Sequence, residues 1–125
     1  MKKEKKKGYE VTDELYDYFI SECKNAQQIF GLNGWRLSFK KRKMKMFHAH
    51  IAINYVARLA TVSINTFIAS DSDMPAKKIL KQSAVHELAH LLLNEYRVAL
   101  EYRYERDCVE GLEHAIVNIF ESLVG

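Results

Sequence analysis

His86-Glu87-Leu88-Ala89-His90 is the pentapeptide in which side chains able to do chemistry are most tightly spaced. On a helix, residues four apart stack on one face, so both imidazoles reach a single ion. The glutamate at i+1 stands beside the pair, where it can take a proton from a water held by that ion. These ionisable residues fall inside Ala84 to Leu93, a run otherwise apolar on every side. Burying ionisable groups is costly unless they are paired or bound to metal. The spacing therefore predicts a hydrolytic zinc site with Zn2+ as cofactor, His86 and His90 as ligands and Glu87 as general base. The competing reading is a pair of core histidines hydrogen-bonded to Glu87.

Catalytic zinc usually takes three protein ligands and keeps one open position. A histidine six residues beyond the second, with a glycine between, is excluded, because those positions hold Leu93 and Tyr96. The candidates are Glu110, Glu113 and His114 on a final helix. Glu113 lies one turn from Val109 and Ile116, which places it toward the packed face. It is the expected third ligand, with His114 or Glu110 as the alternative or as partners that orient a ligand. His48 and His50 alternate along a strand and could hold a second metal or line a substrate groove. Tyr96, Arg97, Tyr102, Arg103 and Tyr104 follow the motif closely and include donors suited to a developing oxyanion.

The elements that position these residues are readable from periodicity. Thr12 can cap a helix with Asp13 and Glu14 in its first turn. Leu15, Phe19, Cys23, Ala26 and Phe30 then recur at helical spacing up to Gly31. Trp35, Leu37 and Phe39 alternate, as do Ala49, Ile51, Ile53 and Tyr55, and then Ala60, Val62 and Ile64, which predicts a three-stranded antiparallel sheet. The basic stretch 40–45 reads as a hairpin loop within it. A helix over about Pro75 to Glu95, polar first and then apolar all round, must be buried in the middle of the fold. A helix over about Arg106 to Leu123 closes the chain. The expected fold class is α+β: an N-terminal helix, the sheet, the buried motif helix and a C-terminal helix.

With 125 residues and 48% hydrophobic content, the chain suits one domain with a real core. Residues 1–10 read as a basic disordered tail and 11–125 as the domain. No apolar run approaches the roughly 18 residues of a membrane span, which predicts a cytoplasmic protein without membrane contact. Cys23 and Cys108 lack disulfide or C-x-x-C spacing and read as thiols. The net charge of +3 is divided: ten of the 19 basic residues lie in the N-terminal lysines and in Lys40 to Lys45, with Glu4 the one acid among them. The remainder is acidic. Such runs can bind nucleic acid, although solvated charge is the commoner use and no reader motif accompanies them.

The sequence resembles the small zincin-type metallopeptidases common in phages and prophages, related in layout to SprT-like and gluzincin-like proteins. The matching elements are the helix before Gly34-Trp35, the strands, His86 to His90 followed by Leu91-Leu92-Leu93, and the segment Glu113-His114-Ala115-Ile116-Val117. Together they span Leu15 to Leu123. The resemblance implies a minimal zincin-like domain with zinc on His86, His90 and a residue of the last helix. It departs from SprT-like proteins proper, in which a third histidine stands on a later helix; His114 is nearer the place of a gluzincin-type glutamate. The expected activity is zinc-dependent hydrolysis of a peptide or protein substrate, with Glu87 deprotonating a zinc-activated water and strand Ala49 to Tyr55 holding the substrate in extended form. The alternative is a zinc-binding regulatory or interaction module of the phage type, seizing a host factor with little or no proteolysis and possible DNA association.

Overall fold

Thr12 opens the first helix as expected. Its Oγ1 accepts a hydrogen bond from the Leu15 N–H at 3.3 Å, satisfying one of the orphan donors of a helix N-terminus. The computed structural model describes residues 7–70, 72–101 (with side chains as far as 94) and 114–118. It places this helix, α1, at Asp13–Ile29, with Phe19, Cys23 and Ala26 as its buried stripe. Leu15 and Phe30 pack at the margin of the core. The helix ends at Phe30, and Gly31 follows at φ 69°, a left-handed turn that a side chain would strain. Gln27 ties the exit, its Nε2 donating to the carbonyls of Leu32 at 3.0 Å and Trp35 at 2.7 Å.

The strands are β1 (Gly8–Glu10), β2 (Arg36–Lys41), β3 (Ala49–Asn54), β4 (Leu59–Ile64) and β5 (Phe67–Ala69), and the second helix, α2, runs over Ala76–Glu101. Residues 114–118 are helical. The architecture is small α+β, with one mixed and one antiparallel sheet.

The expected three-stranded antiparallel sheet is instead mixed, in the order β2-β4-β3. β2 pairs with β4 in parallel, Arg36 opposite Leu59 and Lys41 opposite Ile64. β3 pairs with β4 antiparallel, from Ala49 opposite Ile64 to Asn54 opposite Leu59. The physical reason is burial. β4 is the strand with Ala60, Val62, Ser63 and Ile64 all buried, so it takes the central place and leaves the more exposed β2 and β3 at the edges. Neighbouring strands lie about 4.8 Å apart. The segment 42–48 therefore steps across a full strand position rather than forming a hairpin loop, and β4 returns through the turn at 55–58 to fill the place between.

A second correction concerns the N-terminus. The expected disordered tail over 1–10 is corrected at its last three residues, where Gly8–Glu10 pairs antiparallel with β5, Gly8 opposite Ala69; residues 1–6 lie outside the described residues. Three residues offer no alternation to read. Gly8 is required there: a methyl group at this position would collide with the Ile68 carbonyl oxygen. The Tyr9 hydroxyl also donates to the Met74 carbonyl at 2.7 Å, tying β1 to the chain that enters α2.

The core lies between the mixed sheet and the helices. Ala60, Val62 and Ile64 of β4 meet Phe19 and Cys23 of α1 and Leu80, Ala84, Leu88 and Leu91 of α2 in one cluster. α1 packs along α2, and α2 also packs against β3. The apolar second half of α2 is buried as its composition requires, at Ala84, Val85, Leu88, Ala89 and Leu91. Among the described residues, no helix is long and apolar enough to cross a membrane.

Candidate metal centre

α2 carries His86 and His90 one turn apart, and their Nε2 atoms converge to 3.0 Å. The ring centroids lie 4.6 Å apart, with the planes inclined at 68°. Leu88, Ala89 and Leu91 are wholly buried, so this stretch cannot roll to separate the histidines from the groove without exposing core. Two nitrogens so close require at least one lone pair turned toward the other, since two facing N–H groups would repel. Tetrahedral zinc at about 2.0–2.1 Å from each imidazole would set the two nitrogens roughly 3.3 Å apart. The observed pair is within a few tenths of an ångström of that edge. Glu87, adjoining His86 in sequence, is 8% exposed. A donor set of imidazoles with a carboxylate nearby suits zinc better than a hard cation such as magnesium.

The structure brings some of the expected ligands together. His114 stands beside the pair, its ring 6.4 Å from that of His90 at 86°. Glu110 and Glu113 lie outside the described residues, as do the side chains of Tyr96, Arg97, Tyr102, Arg103, Tyr104 and Cys108. Among the described residues, no three His, Cys, Asp or Glu side chains form a group that could hold a metal ion.

The histidines open onto a groove with two lobes. One, of about 490 Å³, is lined by Met46, His48, Ser70, Met74, Ile79 and Gln82. The other, of about 420 Å³, runs along the sheet edge past His50, Ile51, Ile53, His90, Asn94 and His114. Phe47, Ala49, His86 and Glu87 border both lobes and so mark the waist between them. Each lobe has the size of a ligand pocket. β3 is an edge strand of the mixed sheet, able to accept a further strand by main-chain pairing.

His48 and His50 fall one on each lobe rather than side by side on a strand. His48 precedes β3, and its Nε2 lies 2.9 Å from the Ala69 carbonyl, to which it can donate. The His50 ring lies 5.9 Å from that of Phe47. His48 lines one lobe and His50 the other.

Asn65, at the end of β4, was not anticipated as a site residue. Its buried side chain holds the groove wall: Nδ2 donates to the carbonyls of Met44 at 2.6 Å and Phe47 at 2.9 Å, and Oδ1 accepts from the Met44 N–H at 3.3 Å. The Asn65 N–H donates to the His48 carbonyl at 2.8 Å. Met46, Phe47 and Met74 were likewise missed as lining residues. The available signal was Met44, Met46 and Phe47 interrupting a lysine run, where pure solvated charge needs no apolar residues.

Beneath the site, burial pushes the Cys23 thiol strongly upward, and the carboxylates of Glu87 and Glu22 push it further. The thiolate is the reactive form. Cys23 is therefore expected to resist iodoacetamide at pH 8 in the native protein and to be labelled fully in denaturant, as read by mass spectrometry of its peptide.

No protein-family model and no curated protein matches the chain. Among solved structures it is similar to the metallopeptidase zymogen jannalysin of Methanocaldococcus jannaschii, at 14% identity and a TM-score of 0.45, over 94% of this chain and 95% of that one.

Proposed function

We propose that the chain is a zinc-dependent metallopeptidase, with His86 and His90 as two ligands, Glu113 as the third and Glu87 as the general base. His114 and Glu110 are the alternative ligands or their orienting partners. The observation that carries this reading is the convergence of the two Nε2 atoms to 3.0 Å at the waist of an open groove beside Glu87. When bound, zinc would supply Lewis acidity, polarising a peptide carbonyl and lowering the pKa of water toward about 7. The remaining work falls to the chain. Glu87 accepts a proton from the attacking water and passes it to the departing amine. β3 holds the substrate backbone in extended form across the waist. A pair of histidines serving only as core would need neither the groove nor the edge strand.

Elemental analysis of the purified full chain tests the site. About one zinc per chain is expected, lost in Glu113→Ala and retained in Glu110→Ala. Loss in His114→Ala with retention in Glu113→Ala would move the third ligand by one residue. Absence of bound metal after zinc is supplied would overturn the proposal and leave the histidines as core residues.

A further inference from the structure

Resting on the reading of the groove as a peptidase site, we propose that the loop 42–48 selects its substrate. The segment it takes carries a large apolar side chain flanked by acidic residues. Met46 is 87% exposed and Phe47 57%. Both border the groove, whose lining also includes the apolar Met74 and Ile79. Exposed apolar side chains are common singly, but here two adjacent ones stand on a loop whose course is fixed from below. Asn65 holds the main chain of Met44 and Phe47, which fixes the backbone from which Phe47 projects. A rigid apolar wall kept in water is the form of a surface awaiting an apolar partner.

The charge of the loop gives the flanks. Lys41 pairs with Asp13 at 3.3 Å, and Arg42 donates to the Ser63 hydroxyl at 3.3 Å. Lys43 and Lys45 are exposed and make no ion pair among the described residues. They lie within three residues of Met46 in the chain. Apart from Glu87 and the histidines, the lining of the larger lobe carries no ionisable group. An apolar anchor thus meets Met46, Phe47, Met74 and Ile79 while its neighbours in sequence meet two cations. A nucleic acid would satisfy the lysines but would leave Met46, Phe47, Met74 and Ile79 without a use.

The test uses the full zinc-loaded chain and quenched-fluorescence peptides that differ only in the anchor (Phe or Ala) and the flanks (Glu or Lys). Binding of the same labelled peptides to Glu87→Gln by anisotropy gives a readout independent of turnover. The Phe anchor with Glu flanks should be both cleaved and bound best, by roughly tenfold over the Lys-flanked peptide, with the margin shrinking at high salt. Lys43→Glu combined with Lys45→Glu should reverse the flank preference, and Phe47→Ala should remove the anchor preference. All three side chains are exposed, so each variant should keep the parent circular dichroism. Cleavage without preference would overturn the inference while leaving the peptidase reading standing. Selective binding without cleavage by the parent would support the docking element and overturn the peptidase reading. Preference for a single-stranded oligonucleotide over every peptide would overturn the inference in favour of a nucleic-acid partner.

Discussion

Glu87→Gln is expected to lower kcat/KM on any peptide the chain cleaves by about 10²–10⁴-fold while leaving zinc content unchanged. Glutamine has nearly the shape of glutamate, so it can occupy the same largely buried place beside His86. It cannot take a proton. A defect confined to proton transfer should therefore lower kcat far more than it raises KM. Metal content by elemental analysis and cleavage rates on one peptide, measured on the same preparation, decide the matter. Equal activity in parent and variant would exclude Glu87 as the base. Loss of zinc along with activity would instead make its carboxylate part of what holds the metal.

The second large effect is on stability. Leu88→Ala should destabilise the fold by about 2–5 kcal/mol, the range for removing a fully buried leucine side chain. Leu88 has no exposed surface. It lies two residues from each histidine, about 200° around the helix, so its side chain enters the core while theirs face the groove. Urea unfolding should show the lower midpoint, and, on the proposed reading of the site, the protein that remains folded should still bind zinc. A variant that kept full stability would mean that the motif helix is not anchored by its back face. That anchoring is what keeps both histidines turned toward the groove.

The helices were legible because each carries a strong, long signal. α1 declares itself by a cap at Thr12, a stripe at Phe19, Cys23 and Ala26, and a glycine stop. The second half of α2 declares itself by being apolar all round. Strand existence was legible too, since alternation at Leu37 to Phe39, Ala49 to Ile53 and Ala60 to Ile64 is local. Strand neighbours were not. Whether β3 pairs with β2 or leaves room for β4 depends on which strand is buried deepest, a comparison of all three that no single window contains. β1 and β5 are too short for alternation to register. At the site, His86, Glu87 and His90 could be read directly because their spacing is helical and local. Asn65 could not, because its role depends on atoms of Met44 and Phe47 reached through space, and any strand-ending asparagine looks the same in sequence.

The way Asn65 grips its loop bears on how easily specificity could drift. The bonds it makes there end on main-chain atoms: the Met44 N–H and carbonyl and the Phe47 carbonyl. Every residue offers the carbonyl and every residue but proline the N–H, so these bonds do not depend on which other side chains stand at 45, 46 and 47. On the proposed role of the loop, point substitutions there are expected to alter what the groove accepts without disturbing how it is built. On the proposed reading, the scaffold separates the chemistry from its target: the histidines are carried by a buried helix, and the groove wall at 46 and 47 can change one side chain at a time.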